Sequence, residues 1–204
     1  MDYWFYDSNL SSFDFSNLDT SNLESLKATF YGCKSLGDVD LSQFNTVKLL
    51  NMSQIFANCT TLYSADLSGL NTSKVTDMSM MFSVDTSLNT VTFGENFSME
   101  NVEKTNNMFS GCGNLHDIDF SNFKNNKVTN TSYMFSGCSS LKTIDLSGFD
   151  TSHVTNMRNM FYGCSKLEKI YASDKFVTTS IDAEKDVNMF LDCSSVLKGG
   201  MGTT

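Results

Sequence analysis

The stretch TSHVTNMRNMFYGCSKLEKI, residues 151–170, decides the fold. Met157, Met160, Phe161 and Cys164 fall at offsets 0, 3, 4 and 7, the spacing of one face of a short helix. Gly163 stops that pattern, and a strand-like run follows from Leu167. One occurrence would be only an amphipathic turn. The chain repeats it: the Phe recurs at Phe5, Phe30, Phe56, Phe82, Phe109, Phe135, Phe161 and Phe190, at intervals of 25, 26, 26, 27, 26, 26 and 29. A near-constant period over so many intervals is the mark of a solenoid, whose units bury their apolar faces only by stacking.

Each unit of about 26 residues has two halves. In the first, Ile144 and Leu146 alternate with Thr143, Asp145 and Ser147, as in a strand with one face buried. The inward pair recurs as Phe13/Phe15, Val39/Leu41, Ala65/Leu67, Val91/Phe93 and Ile118/Phe120. Strands are expected from Leu10, Leu36, Leu62, Leu88, Leu115, Leu141 and Leu167. Stacked at about 4.8 Å, they would span roughly 35 Å. The second half reads as a short helix. Ser25, Asn51, Asp77, Asn130 and Asn156 stand where an N-cap accepts from the first-turn amides, with Lys104 the exception. Gly32, Asn58, Gly111, Gly137, Gly163 and Asp192 stand where a left-handed terminal residue is wanted. Val84 is the misfit, followed by Asp85 where other units have Cys, so distortion is expected at that unit. The fold class is therefore a repeat solenoid with one short parallel strand plus a short helical turn per unit. It forms one domain over residues 1–193 in about seven units, with 171–193 an irregular terminal unit and 194–204 a tail.

Composition narrows function. A balance of 14 basic against 23 acidic residues, net −9, argues against nucleic acid or an anionic membrane surface as partner. No apolar run is long enough to cross a membrane as a helix. The start, MDYWFYDSNL, has neither the basic nor the apolar region of a signal peptide and opens in mid-repeat, as an excised segment would. Proline is absent, which suits stacked strands whose backbone donors are all in use.

The unit GCSSLKTIDLSGFDTSHVTNMRNMF, with its Val-Thr-Asn-Met and Met-Phe-x-Gly-Cys signatures, resembles the BspA-like leucine-rich repeat family of bacterial surface proteins over about residues 5–193. The resemblance implies a right-handed leucine-rich-repeat solenoid on a cell-surface or secreted protein, of a kind associated with adhesion to host proteins. Departures from the pattern are Val47 and Leu50, Met99 to Lys104, and the terminal unit.

Three columns are candidate sites. Cys33, Cys59, Cys112, Cys138, Cys164 and Cys193 form one column. Parallel stacked side chains suit neither disulfide geometry nor converging metal ligands, so these cysteines read as small buried hydrophobes. The Met column, including Met78, Met108 and Met134, reads as core. The outward strand column holds Asp14, Asp40, Asp66, Thr92, Asp119 and Asp145. Stacked carboxylates repel by a few tenths of a kcal/mol or more per pair, so they call for a reason. They would accept turn hydrogen bonds, offer an acidic stripe to a basic partner, or bind a hard cation. Asp40, Asp66, Asp119 and Asp145 are the candidate partner-binding residues.

No nucleophile elbow, phosphate loop or metalloprotease motif is present, and His116 and His153 occupy variable surface positions. The expected function is a non-catalytic surface module, without cofactor or metal, binding a protein or glycan. A spacer that projects another domain and a regular-face binder of ice or mineral, suggested by partial Thr columns such as Thr76/Thr129/Thr155, are the alternatives. Tyr31, Tyr63, Tyr133 and Tyr162 are candidates for a binding cluster.

Overall fold

In a computed structural model, residues 1–120, 123–181 and 188–199 are described. The last part of the irregular terminal unit (182–187) and the end of the expected tail (200–204) lie outside them. The strands are β1 (Asp38–Asp40), β2 (Ser64–Leu67), β3 (Thr90–Phe93), β4 (Thr143–Leu146), β5 (Lys169–Ala172) and β6 (Lys198–Gly199). Pairing is parallel throughout, β1-β2-β3 in one sheet and β4-β5-β6 in another. Registers such as Val39↔Ala65, Ala65↔Val91 and Ile144↔Ile170 advance by one unit each, which is the solenoid read from the period. β6 places residues 198–199 of the expected tail against β5.

The second half of each unit is not a helix; among the described residues it is a run of consecutive turns. Asn159 (φ 56°) and Gly163 (φ 72°) are both left-handed, and the pair recurs four residues apart as Gln54/Asn58, Met80/Val84, Asn107/Gly111 and Tyr133/Gly137. A left-handed residue at every fourth position ends a helix before it starts. The amides divide their work accordingly. Phe30, Phe56, Phe109 and Phe135 donate to the carbonyls of Ile55, Met81, Met134 and Met160 one unit on, at 2.8–3.0 Å. Alternate amides close local turns, as Cys138 does to the Phe135 carbonyl at 3.1 Å. The turn side is therefore a second inter-unit ladder. The expected caps serve it differently: the side chains of Asn51, Asp77, Asn130 and Asn156 accept from the amide two residues on, at 2.8, 2.9, 3.0 and 3.1 Å. These are Asx-turns with no helix behind them.

The core runs down the stack. Phe30, Phe56, Phe82, Phe109, Phe135 and Phe161 are fully buried. With Phe5 and Phe190 at the ends they form an unbroken column, successive centroids 5.3–5.8 Å apart and rings within 18° of parallel. Stacked aromatic pairs add roughly 0.5–1.5 kcal/mol each beyond their buried area. The methionines at Met52, Met78, Met108, Met134, Met157 and Met160 are buried beside them.

Distortion expected at Val84 is absent from the backbone. Val84 holds the left-handed conformation (φ 68°), and its amide reaches the Ser110 carbonyl at 2.7 Å. The neighbouring turn ladder fixes the backbone, so the β-branched side chain carries the strain. Asp85 is completely buried; its Oδ1 accepts from the Cys59 amide at 2.7 Å, and its Oδ2 has no partner.

Candidate functional site

Strand alternation puts two columns of side chains on one outer face. In register they are Asp40, Asp66 and Thr92 in one sheet, continued by Asp119, Asp145 and Tyr171; beside them run Asp38, Ser64 and Thr90, continued by Asp117, Thr143 and Lys169. Lys169 and, in register with it on β6, Lys198 are the cations of these columns among the described residues, both at their C-terminal end; the Lys169 ammonium lies 4.2 Å from the Tyr171 ring centroid. All four expected site residues share this face, Asp40 and Asp119 exposed, Asp66 and Asp145 half-buried. Asp38 and Asp117 were missed, although each sits two residues before a recognised Asp and alternation alone places it on the same side.

The carboxylates also build the backbone. Oδ1 of Asp14, Asp40, Asp66 and Asp145 accepts from the amides of Ser16, Ser42, Ser68 and Ser147 at 2.8–2.9 Å, closing the turn after each strand. The Ser42 hydroxyl and amide hold the Asp40 carboxyl below the ordinary carboxylate range, and the Ser16 amide and hydroxyl do the same for Asp14. Hydrogen bonds to the charged form favour it, so the turn role and the negative surface charge coexist.

The face is interrupted once in its middle. β3 pairs with β2, but among the described residues no strand pairs with its other side. Leu41 donates to the Asp66 carbonyl one unit on at 2.8 Å and Phe120 to the Asp145 carbonyl at 3.2 Å; among the described residues no such bond leaves Phe93. The cause is ring size. The inward slot held by Leu41, Leu67 and Leu146 holds Phe93 and Phe120 in successive units, with centroids 6.4 Å apart. Phe97 and Phe123 crowd the same place, 4.6 and 4.9 Å from Phe93. That cluster holds the strands beyond the usual spacing of about 4.8 Å. The turn ladder stays closed, with Phe82 bonded to the Met108 carbonyl at 2.8 Å, so the units splay on the strand side only. The result is a cleft of about 1020 Å³ bordered by Val91, Phe93, Glu95, Asp117, Asp119, Asp145 and Tyr171. Phe13 and Phe15 similarly leave the strand position after Leu10 without a regular strand, beside a smaller cleft of about 280 Å³.

The cysteines are all free thiols, buried except for the half-buried Cys193. They do more than fill space. Cys33, Cys59, Cys112, Cys138, Cys164 and Cys193 each donate Sγ–H to the carbonyl of the column Phe one unit back, at 3.0, 2.9, 3.0, 3.2, 3.1 and 3.0 Å. Burial pushes Cys112 and Cys138 far up and Cys164 up to about 12, so these thiols stay protonated and unreactive. Tyr31 stacks on Tyr6 at 4.7 Å; Tyr162 holds the same unit position five units away, Tyr63 and Tyr133 hold other positions, and there is no ring contact among the four in the described residues. The expected tyrosine cluster does not assemble. His116 is exposed, 3.3 Å from the Asn89 amide nitrogen, and His153 is exposed beside Ser152.

Parallel strands stacked one per unit on an aromatic column, with an acidic strand face, define a repeat solenoid. The chain belongs to the DUF285 family, described as a Mycoplasma protein of unknown function, whose model matches residues 1–117 and again 89–199. Among solved structures it is similar to a leucine-rich cell surface protein from Faecalibacterium prausnitzii A2-165, at 16% identity over 84% of this chain and 74% of that one, with a TM-score of 0.26. A comparison with curated proteins finds no match. No helix among the described residues is long and apolar enough to cross a membrane.

Proposed function

We propose that this chain is a non-catalytic, leucine-rich-repeat-type module of the bacterial cell surface that binds a macromolecular partner, protein or glycan, through its strand face. The observation that carries the reading is the concentration of Asp38, Asp40, Asp66, Asp117, Asp119 and Asp145 in two adjacent outward columns, countered among the described residues only by Lys169 and Lys198 at their C-terminal end. One carboxylate oxygen per turn would serve the backbone; charge in both columns goes beyond that need. Clustered charge of one sign raises the local concentration of an oppositely charged partner and speeds encounter, more strongly at low salt. The surface location rests on the repeat signature shared with BspA-like proteins.

The test replaces Asp40, Asp66, Asp119 and Asp145 with Asn, which keeps an Oδ1 acceptor for the turns and removes charge. Wild type and variant are passed over immobilised basic and acidic proteins of matched size at low and high salt. Binding of wild type to the basic set, lost in the variant with its melting temperature intact, supports the reading. Equal retention of both chains on every surface overturns it and leaves a spacer.

A further inference from the structure

The splay between β3 and residues 117–120 leaves a strand edge inside a charged cleft. In a parallel ladder a residue that donates its amide to one neighbour offers its carbonyl to the same neighbour. Leu41 and Phe120 donate to the following unit, so Val91 and Phe93, which hold the equivalent positions, turn their backbone groups into the cleft. Proteins cover, shorten or charge such edges because they template pairing with another chain. Here Glu95, Asp117 and Asp119 surround it, and among the described residues no Lys or Arg lines the cleft. A second copy would bring the same negative charges and be repelled. A basic chain would not.

We propose that this edge takes up an extended, basic segment of a partner polypeptide as an added strand along Val91 and Phe93. The inference rests on the strand-face reading above and specifies its mode: main-chain hydrogen bonds supply affinity, and alternate side chains supply specificity. Period-2 alternation gives the segment two sides. Its Lys or Arg side chains face outward toward Asp117, Asp119 and Asp145. Its inward side chains are small, because the Phe93 and Phe120 rings stand only 6.4 Å apart. The cleft of about 280 Å³ next to Phe13 and Phe15 is too confined for the same service.

The probe is an octapeptide alternating Thr and Lys, with two controls: the same peptide N-methylated at alternate residues, which keeps charge but removes main-chain donors, and oligolysine of equal charge. The proposal expects wild type to bind the parent peptide about tenfold more tightly than the N-methylated one, the loss of one or two net hydrogen bonds. It also expects new hydrogen-exchange protection at the Val91 and Phe93 amides on binding. The variant Phe93→Leu/Phe120→Leu, which carries the residue of the other units, should close the ladder and lose the preference with every surface charge in place. Protection at Val91 and Phe93 is read on wild type, so it decides even if the variant fails to fold. Equal affinity for all three peptides, without protection, overturns strand addition but leaves the acidic face as a binding surface. Binding to none of them also overturns it: the carboxylates would then only keep the edge from pairing, and the protein panel decides the broader reading alone.

Discussion

Asp85 occupies the slot that six cysteines fill in other units, and replacing it with Cys measures what that exception costs. Its carboxyl is fully buried, accepts one hydrogen bond from the Cys59 amide at 2.7 Å, and leaves Oδ2 without a partner. Burial raises its pKa well above the ordinary 3.8, the Cys59 amide opposing only in part. The titratable groups nearest it are the thiols of Cys59 and Cys112, both pushed up themselves. Asp85 is therefore protonated when folded and ionised when unfolded over the interval between the two values. The folded state binds one more proton there, so stability is greatest at acid pH and falls by about 1.4 kcal/mol per pH unit as pH rises through that interval. The unpartnered oxygen costs about 1–3 kcal/mol in addition, at any pH. Asp85→Cys supplies a thiol able to donate to the Phe56 carbonyl, as Cys59 donates to that of Phe30. It should stabilise by about 1–3 kcal/mol at acid pH, a rise in melting temperature of about 3–10 °C for a chain of this size, and by steadily more as pH is raised from about 4 to about 7. Circular-dichroism melts of both chains across that range test it. Carboxylates such as Asp40 and Asp14, whose lowered values give the opposite slope, are common to both chains and cancel in the difference. Parallel curves for the two proteins would refute a buried neutral carboxyl at Asp85.

Three further outcomes follow from the same geometry. Phe135→Ala removes stacking on Phe109 and Phe161 and an edge contact to Phe120, and should cost about 3–5 kcal/mol, whereas Phe5→Ala at the end of the column costs much less; equal losses in urea unfolding would contradict one-dimensional stacking. Val84→Gly relieves a β-branched residue at φ 68° whose side chain is 47% exposed, and should raise stability by about 1 kcal/mol; a fall in melting temperature would show that the side chain packs usefully. Reductant should leave the melting temperature unchanged, and a thiol reagent should label Cys193 well before the five buried cysteines; fast labelling of Cys138 would contradict its burial.

The aromatic column, the inward strand pairs and the left-handed residue before each Cys are legible in the sequence because each recurs with the period. The helix was not separable from the turns. Left-handed residues four apart, such as Asn159 and Gly163, bury offsets 0, 3, 4 and 7 as a helix would. The hint lay in Asn107, Asn159 and Asn188, since Asn tolerates the left-handed region better than most residues. The splay was hidden for another reason. Phe and Leu are interchangeable in an apolar pattern, so the pattern did not show that Phe93 and Phe120 would share one inward slot with Phe97 and Phe123 crowded against them. The interval of 27 between Phe82 and Phe109 marks the same place. The dual use of Asp40, Asp66 and Asp145 was legible: alternation put them outward, and neighbouring Ser or backbone amides were the expected donors, which the amide of the Ser two residues later supplies.

Residue-resolved hydrogen exchange tests the central claim most directly: units closed on the turn side by one ladder and parted on the strand side between β3 and residues 117–120. The amides of Phe56, Phe82, Phe109 and Phe135, each bonded to the next unit, should exchange slowly, and so should Leu41. The Phe93 amide, equivalent in position to Leu41, should exchange faster by orders of magnitude. Protection of Phe93 equal to that of Leu41 would mean a continuous sheet, no cleft and no open edge.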